Sequence, residues 1–590
     1  MSRLLNSPSD FREDMLDGLS AAYPSHLTRV PGASGVVRSA GTGGRVSVVV
    51  GGGCGHYPAF AGLVGSGLAA GAVVGEVFTS PSAEQAHRVG RAADEGAGVL
   101  FSFGNYAGDV MNFGLAEERL RGEGVDCRTV LVTDDVASAP REDHGARRGI
   151  AGTLPVFKTA GAAADRGDPI DEVERLARHA NARTATLGVG FAGCTVPGEK
   201  EPLFTVPPGN MEIGLGIHGE PGIEEGPLVS ASELAPLLLD PLLAERPDGA
   251  SGRVAVVLNG LGATKYEELF VVASGLFPAL RRAGLEPVLP EVGEAVTSLD
   301  MAGCSLTLVW LDDELEELWT APADTPGFRR GGAAPPSTAP APRPAVAEQD
   351  ARSAPNPSLG PDAGSETDPD ASALVFADRI RAALAAMSTA VADNSDELGS
   401  LDAVAGDGDH GTGMARGAKA AFEAAHGIGG GPATVLRAAA ARWADQAGGT
   451  SGVLWGAMLE RFADRIGDLT APSAGDIAAG VEAAEQALAR MGRCAPGDKT
   501  MLDALRPFRE TLRARLATGA ALDEAWNEAV ADAEHAARAT ADLRPRVGRA
   551  RPLADRSVGT PDPGAVSLAL CLRAVAGACS NPPLEGGHRS

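Results

Sequence analysis

Positive charge is scarce in this 590-residue sequence, which has 51 Lys and Arg against 77 Asp and Glu and a formal net charge of -26 at pH 7. A surface with this balance repels nucleic acid and anionic membranes, and no local basic patch interrupts it. We therefore expect neither a nucleic acid nor a membrane as a partner.

Long apolar runs are also missing. No window approaches the roughly 18 apolar residues of a membrane-spanning helix. The first residues, MSRLLNSPSDFREDMLDGL, mix charge into every turn and lack the apolar core of a signal peptide. These absences predict a cytoplasmic protein.

Paired cysteines are a third absence. The seven cysteines stand singly and form no C-x-x-C pair, which argues against a structural zinc site. An odd number in so long a chain fits reduced thiols. They are Cys54, Cys127, Cys194, Cys304, Cys494, Cys571 and Cys579.

The length of the chain indicates two or three domains, since a domain usually has roughly 50 to 250 residues. One boundary is visible in residues 321–370, which are rich in Pro, Ala and Ser and poor in aromatic residues. Such a segment buries too little apolar surface to offset the entropy lost on ordering. We predict a flexible linker there, between domains at residues 1–320 and 371–590.

The domain before the linker alternates short apolar runs with helical patterns. This alternation is typical of α/β folds with buried strands, and we expect two sheet-containing subdomains. The predicted strands are VSVVV (Val46 to Val50), VLFSF (Val99 to Phe103), TVLVT (Thr129 to Thr133), VAVVLNG (Val254 to Gly260) and LTLVW (Leu306 to Trp310).

The domain after the linker is Ala-rich and has a helical period. Its first helix spaces Phe376, Ile380, Leu384, Met387 and Val391 along one face. The sequence therefore predicts an all-α helical bundle or barrel for this domain.

Three aspartates lie among glycines in the stretch LDAVAGDGDHGTGMARG, which starts at Leu401. Glycine disfavours a regular helix, so Asp402, Asp407 and Asp409 can converge from a loop between two helices. Converging carboxylates repel one another, and an all-oxygen ligand set suits Mg²⁺ or Ca²⁺. A solvated acidic loop with helix-capping aspartates would have the same composition.

Three other glycine-containing stretches have the pattern of helix openings. They are DQAGGTSG (Asp445 to Gly452), PGDKTMLDAL (Pro496 to Leu505) and DPGAVS (Asp562 to Ser567). The free N–H groups and the dipole at a helix N-terminus attract phosphate. Together with the acidic loop they predict a Mg-nucleotide site without a Walker lysine motif.

These four stretches together resemble the ATP-binding helical domain of the dihydroxyacetone kinase family. The resemblance implies ATP and Mg²⁺ as cofactors, with two Mg²⁺ ions held by Asp402, Asp407 and Asp409. The residues that it places near the phosphates or the nucleotide are His410, Thr450, Ser451, Thr500, Met501, Asp562 and Gly564.

The first domain carries further motifs of the same family in the family's order. They are VVGGGCGHYPAF, FGNYAGDVMNFGLA, RRGIAGTLPVFKTAG and GLGIHGEPGI, and the similarity runs from Gly51 to about Asp313. Three glycines after a strand let the backbone approach a small polyol. A lone histidine such as His218 more often caps a turn, but its flexible neighbours and this motif favour a reactive group.

The resemblance also implies how a small ketose is held in the first domain. His218 would attack the carbonyl group to give a covalent hemiaminal, which selects ketoses and aldoses from polyols such as glycerol. Asp109 would be the general base, and His56 would hydrogen-bond the sugar oxygen. The positions expected to contact the substrate are Gly53, Ser80 and Gly104.

Five positions depart from the family's pattern. The usual dihydroxyacetone kinase reads GGGSGHEPAH where this chain has Cys54, Tyr57 and Phe60, and it has a lysine in KNYTGD where this chain has Gly104. Phe157 replaces the histidine of VHK. We expect a changed pocket wall, with the lost lysine opening room for a longer ketose such as erythrulose. If the changes are drift, dihydroxyacetone remains the substrate.

The sequence thus predicts an ATP-dependent kinase of dihydroxyacetone or of a ketotetrose, built as a two-domain fusion. Its partners would be the ketose and ATP, and the resemblance implies a homodimer. One alternative is a cyclising FAD-AMP lyase at the same nucleotide-metal site. The other is a non-enzymatic ketose-binding regulator, against which the three aspartates of the acidic loop argue.

Overall fold

A computed structural model describes residues 4–331, 369–406, 408–548, 550–551 and 554–580. The described residues form two compact units, residues 4–331 (the first unit) and 369–580 (the second unit). No described helix is long and apolar enough to cross a membrane. The six cysteines whose side chains are described are free thiols, in line with the sequence.

The first unit contains two main sheets and a small hairpin. Its strands are β1 (Leu27–Arg29), β2 (Gly35–Arg38), β3 (Ser47–Cys54), β4 (Gly71–Val77), β5 (Val99–Gly104), β6 (Cys127–Val132), β7 (Thr184–Ala192), β8 (Asn210–Ile213), β9 (Glu224–Pro227), β10 (Arg253–Gly260), β11 (Glu286–Pro287), β12 (Glu291–Gly293), β13 (Ala302–Trp310), β14 (Ala323–Asp324) and β15 (Arg329–Arg330). All five predicted strands are present, with ends shifted by a few residues.

The first sheet has the strand order β1-β2-β4-β3-β5-β6, and its four strands from β4 to β6 run parallel. The chain crosses from β3 to β4 on one side and returns to β5 on the other. Ligands of open α/β sheets bind at such a switch point, outside the carboxyl ends of the strands. Gly53, His56, Ser80 and Gly104 all lie at or just after these ends.

The second sheet has the order β11-β10-β13-β7-β8-β9, with β12 also pairing with β10. Its central pairs β10–β13, β13–β7 and β7–β8 are antiparallel. One buried hydrophobic cluster contains residues of both sheets, among them Val50 of β3 and Val257 of β10. The two predicted sheet-containing subdomains therefore share a core.

Helices cover the faces of both sheets. They are α1 (Phe11–Ala22), α2 (Ala83–Ala93), α3 (Ala107–Gly122), α4 (Thr153–Arg166), α5 (Ile170–Ala182), α6 (Ala231–Leu243), α7 (Tyr266–Arg282) and α8 (Asp313–Thr320). The hairpin β14–β15 lies beyond residue 320, so residues 321–331 of the predicted flexible linker belong to the first unit, while its residues 332–368 lie outside the described residues. It packs on the unit through Arg330, whose guanidinium lies 3.9 Å from the centre of the Trp319 ring.

The second unit is entirely helical, as predicted. Its helices are α9 (Ala371–Asp393), α10 (Ser395–Asp402), α11 (His410–Gly427), α12 (Pro432–Ala447), α13 (Gly449–Ile466), α14 (Ala474–Met491), α15 (Met501–Ala517), α16 (Leu522–Ala539), α17 (Ala554–Ser557) and α18 (Pro563–Ser580). From α11 to α16 each helix packs on the next, and α18 packs on both α16 and α9, which closes a ring with α11. The ring is a helical barrel around an apolar cavity of about 470 Å³.

The apolar stripe of α9 faces this barrel interior. Leu384, Met387 and Val391 are buried, while Phe376 and Ile380 are half-buried and line the cavity. The acidic stretch forms the loop between α10 and α11, and the predicted helix openings are the starts of α13, α15 and α18.

Candidate active site

Two histidines from distant segments meet beside the first sheet. His56 follows β3, and His218 lies in the turn between β8 and β9. Their Nε2 atoms are 3.1 Å apart, and the His56 ring stacks on Phe78 at 4.9 Å between centroids. The structure therefore brings together the two histidines that the sequence selected from separate motifs.

The protons of this pair can be assigned from their partners. His56 Nδ1 lies 2.7 Å from the carbonyl oxygen of Thr297, which can only accept, so Nδ1 is the donor. Burial, and then the charge of His218, lower the pKa of His56 to about 3, so the ring is neutral near pH 7. His56 Nε2 is therefore an acceptor for the Nε2–H of His218.

Glu220 orients His218. His218 Nδ1 donates to Glu220 Oε1 at 3.1 Å, and its backbone N–H donates to Oε2 at 3.0 Å. Burial acts to raise the pKa of Glu220, but the charges of His218 and Arg148 outweigh it and hold that pKa well below its usual range. An ionised Glu220 keeps the proton on Nδ1, so Nε2 is the ring nitrogen whose lone pair becomes free when its own proton leaves.

Sequence reasoning did not select Glu220, Arg148 or Asp135. Arg148 Nη2 lies 2.8 Å from Asp135 Oδ2, and its Nη1 lies 3.8 Å from Glu220 Oε2. Glu220 is two residues from His218 in a quoted motif, and an acid so close to a candidate nucleophile was a usable signal. Asp135 and Arg148 lie in other segments, so only the fold reveals them.

Aromatic rings wall the histidine pair. The Tyr106 ring meets the His218 ring edge-on at 4.8 Å, and the Phe78 ring does so at 5.3 Å. The Tyr106 hydroxyl oxygen is buried, and within the described part of the chain it has no hydrogen-bond partner. This surrounding limits the access of water and so strengthens the electrostatic interactions of Glu220 and His218.

The other predicted sugar-site residues lie on the segments that carry His56, Phe78 and Tyr106. A Cβ at Gly53 would lie 2.7 Å from backbone atoms of Phe78, so glycine allows the end of β3 to pass close to that segment. Asp109 lies in the first turn of α3 and is 8% exposed. Asn112, one turn later, donates to Ser80 Oγ at 3.3 Å and so ties α3 to the segment after β4.

We expected the loss of a lysine at position 104 to enlarge the pocket, but the structure leaves little free volume beside Gly104. A Cβ there would lie 2.9 Å from the Gly149 carbonyl oxygen and 3.0 Å from Cε2 of Tyr106. The backbone at Gly149 and the Tyr106 ring therefore take up part of the room. Position 104 still borders the site, but as a close contact rather than a void.

The prediction that Phe157 forms part of the pocket wall is wrong. That side chain is fully buried in the core shared by the two sheets. Tyr57 and Phe60 line a different cavity, of about 260 Å³, together with Phe11 and Met15 of α1. Because α4 packs against the sheet, a large side chain at position 157 acts on packing and not on a bound sugar.

In the second unit His410 joins three helix openings. It begins α11, its Nε2 lies 2.9 Å from Ser567 Oγ of α18, and its Nδ1 lies 3.4 Å from Ser451 Oγ of α13. Burial lowers the pKa of His410 to about 4. Thr450 precedes Ser451 in the first turn of α13. Three N-termini with their positive dipole ends thus converge, as a phosphate site requires.

The start of α15 adjoins the start of α18. Thr500 caps α15, with Asp503 returning the capping hydrogen bond. A Cβ at Gly564 would lie 2.9 Å from Cγ of Met501, so glycine allows this contact. Sequence reasoning did not select Asp503 or Ser567, although both lie in the quoted stretches.

Carboxylates crowd beside these openings. Burial raises the pKa of Asp562 to about 7, and the charges of Asp503 and Asp402 act in the same direction. Asp402 ends α10, and its Oδ2 accepts a hydrogen bond from the backbone of His410 at 3.4 Å. Repelling, desolvated carboxylates are relieved by a hard cation, so these residues fit a Mg²⁺ site.

The predicted metal ligands are only partly described. Asp409 precedes α11 beside His410, whereas Asp407 lies outside the described residues. Among the residues described, no group of three His, Cys, Asp or Glu side chains is arranged to hold a metal ion. The Mg²⁺ site formed by Asp402, Asp407 and Asp409 therefore stays a prediction.

Comparison with known proteins places both units in one family. Residues 17–327 match the Dak1 domain and residues 404–577 match the DAK2 domain. The D-erythrulose kinase of Mycolicibacterium smegmatis is 56% identical, covering 98% of this chain and 98% of that protein. The L-erythrulose kinase of Pectobacterium atrosepticum is 50% identical, covering 98% and 96%.

Two further proteins are similar over nearly the full length. The triokinase/FMN cyclase of Homo sapiens is 33% identical over 97% of this chain and 98% of that protein. The crystal structure of the dihydroxyacetone kinase from C. freundii in complex with AMP-PNP and Mg²⁺ superposes with a TM-score of 0.52 at 30% identity, covering 98% and 99%. With both domains matched in order along the whole chain, this protein belongs to the dihydroxyacetone kinase family.

Proposed function

We propose that this chain transfers the γ-phosphoryl group of ATP to a hydroxyl group of erythrulose, a four-carbon ketose. ATP-dependent phosphorylation of a small ketose is the activity of the family's kinases, and the full-length similarity to two erythrulose kinases supports the tetrose. The observation that carries the proposal is the His56–His218 pair with Glu220 behind it. The expected cytoplasmic location is part of the same proposal.

The first unit would capture the ketose through His218. Nε2 forms a bond to the carbonyl carbon, and the proton that leaves Nε2 passes through His56 to the carbonyl oxygen. The product is a hemiaminal whose ring keeps the Nδ1 proton, and the ionised Glu220 3.1 Å away balances its charge. A polyol such as glycerol has no carbonyl group and cannot form this bond.

Asp109 would then act on the captured sugar. As general base it removes the proton of the attacking hydroxyl, while Gly53, Ser80 and Gly104 border the bound ketose. Its position in the first turn of α3, near the helix N-terminus, favours the ionised carboxylate that a base requires.

The second unit would bind ATP with Mg²⁺, which the complex of the related C. freundii kinase supports. The converging openings of α11, α13 and α18 would hold the phosphates through His410, Thr450 and Ser451. Asp402, Asp407 and Asp409 would hold Mg²⁺, which when bound neutralises charge on the phosphates. The residues expected near the nucleotide are Thr500, Met501, Asp562 and Gly564.

A panel assay tests the substrate. We expect ATP consumption with both or one of the erythrulose enantiomers to exceed that with dihydroxyacetone and glyceraldehyde by at least about tenfold in kcat/KM, the scale of discrimination by one carbon unit. Equal rates on dihydroxyacetone would contradict the tetrose proposal but leave the kinase intact. Absence of ATP consumption with every ketose would contradict both.

Gly104→Lys is the matched variant for this assay. Its Cβ would press on Gly149 and Tyr106, and its chain would enter the sugar site. We expect a larger loss for erythrulose than for dihydroxyacetone. A uniform loss on both sugars would mean that Gly104 serves folding and not the choice of ketose.

Cyclising FAD-AMP lyase activity is a second candidate, favoured by the full-length similarity to a triokinase/FMN cyclase. It would use the same nucleotide-metal site of the second unit. Formation of cyclic FMN from FAD, measured in the same preparations, separates it from the kinase. A purely regulatory protein is not favoured, because the second unit retains the convergent helix openings and the carboxylates.

We also infer that the chain forms a homodimer. The outer face of α7 exposes Tyr266, Phe270 and Val271, which are 47%, 55% and 58% accessible. Adjacent exposed apolar side chains mark interaction surfaces. Light scattering should give twice the 59.8 kDa mass of one chain, and Phe270→Glu should lower it. A monomeric wild type would contradict the inference.

A further inference from the structure

A polar cavity of about 230 Å³ lies in the first unit, apart from the residues of the candidate active site. It is bounded by the turn of 3-10 helix at Arg141–Ala146, the start of β7 and the end of β13. A water molecule takes up roughly 30 Å³ of liquid volume. The cavity therefore has room for several waters or for one small molecule.

Two buried nitrogen atoms of its wall are not hydrogen-bonded within the described chain. Trp310 is 1% exposed, and its Nε1 has no partner; His144 Nε2 is likewise buried without one. Buried polar groups are nearly always paired, so each such atom calls for an explanation. Both side chains line the cavity, which is where a missing partner has space.

The proton of His144 can be placed on Nε2. Thr133 Oγ1 accepts a hydrogen bond from Asn181 Nδ2 at 2.9 Å, so the hydroxyl proton of Thr133 is available for His144 Nδ1, 3.1 Å away. In a neutral ring this leaves the proton on Nε2. Burial, and then the charge of Arg147, lower the pKa of His144, which keeps the ring neutral.

The charges of the wall favour an acceptor. Arg141 donates to the carbonyl oxygens of Ala244 and Arg246, which uses only part of its five N–H groups. The carboxylate of Glu245 also lines the cavity, but Arg147 binds both of its oxygens, at 3.0 and 2.9 Å. The neutralised carboxylate does not oppose an anion, and the unused groups of Trp310, His144 and Arg141 are all N–H donors.

We propose that this cavity binds a small oxyanion, inorganic phosphate or a phosphate monoester, through Trp310 Nε1–H, His144 Nε2–H and the Arg141 guanidinium. The segment that carries Arg141 and His144 continues to Arg148, which lies 3.8 Å from Glu220 of the ketose site. With the ketose captured by His218, as in the function proposed above, the bound anion also changes the affinity for the ketose.

Crystals of the full chain, soaked in phosphate and separately in glycerol 3-phosphate, test the site directly and independently of the proposed reaction. Chloride at equal ionic strength is the reference. We expect tetrahedral density within hydrogen-bond distance of Trp310 Nε1 and His144 Nε2 in one or both soaks. Density in both soaks would show that the phosphate group shared by the two compounds is what the cavity binds. Density in one soak would show which of the two compounds is the ligand. Water alone at high phosphate concentration overturns the proposal.

Arg141→Gln gives the solution test, because Arg141 is exposed and lies outside the catalytic machinery. Calorimetric titration with phosphate should lose one site, or weaken it by at least about tenfold as expected for a charged hydrogen bond, relative to wild type. Arg175→Gln, an exposed arginine of α5 paired with Glu172 and Glu314, is the charge-matched control. At saturating ATP, phosphate should change the ketose KM of wild type and Arg175→Gln but not of Arg141→Gln. Identical titrations of wild type and Arg141→Gln overturn the proposal.

Discussion

Asp402→Asn is expected to lower kcat by at least several hundredfold while ketose binding stays unchanged. A carboxylate that helps hold Mg²⁺ acts on charge developing in the transition state, and removal of one main electrostatic stabiliser costs about 10²–10³ in kcat. The ketose affinity should not change, because Asp402 ends α10 in the second unit and His218 lies in the first. Steady-state kinetics at varied Mg²⁺, with calorimetry of ketose binding, measure both effects.

Asp396→Asn is the matched control for this variant. Asp396 lies in the first turn of the same helix α10 and is exposed, so the substitution removes an equal charge at the end of α10 opposite to Asp402. It should retain wild-type kinetics. Near-normal turnover of Asp402→Asn at the Mg²⁺ concentration that saturates the wild type would contradict the metal-site proposal. An equal loss of kcat in both variants would indicate damage to the fold of α10.

The elements that sequence predicted well are those specified by local patterns. The short apolar runs of β3, β5, β6, β10 and β13, rich in β-branched residues, are typical of strands, and the stripe of α9 has a helical period. The loop between α10 and α11 follows from its glycines. Each of these features depends on residues within one helical turn or one strand, so it can be predicted from the local sequence.

The features that sequence missed depend on contacts between distant segments. Arg148 reaches Glu220 across 72 residues, which no spacing rule encodes. Gly104 was read as lost volume, because the sequence does not show that the Gly149 carbonyl and the Tyr106 ring approach it. Phe157 was expected in the pocket wall because it replaces the histidine of the VHK motif, whereas it is fully buried in α4, a helix that is buried along most of its length.

His218→Ala is expected to abolish covalent capture and with it the preference for ketoses over glycerol. Only a carbonyl compound can form a hemiaminal with Nε2, so the bond is a chemical filter that hydrogen bonds alone do not supply. We expect kcat/KM for the ketose to fall by at least about a hundredfold, while the slow rate on glycerol, which depends on Asp109 and not on the bond, changes little.

Two variants separate the roles within this site. Glu220→Gln keeps the imidazole but removes the charge 3.1 Å from Nδ1, so it should weaken ketose capture less than His218→Ala does. His87→Ala removes a histidine that is likewise paired with a carboxylate, Glu123 at 2.6 Å, but on the surface of α2. That control should bind the ketose as wild type does.

A crystal soaked with ketose gives the most direct measurement, because hemiaminals in general reverse too readily for intact-mass analysis. Wild type should show continuous density from His218 Nε2 to the carbonyl carbon, with His56 within hydrogen-bond distance of the new hydroxyl, and His218→Ala should show neither. If wild type held the ketose without a bond to His218 and the variant kept full selectivity against glycerol, recognition would rest on the walls of the pocket. The buried Tyr106 hydroxyl, which has no partner within the described chain, would then be the first group to test.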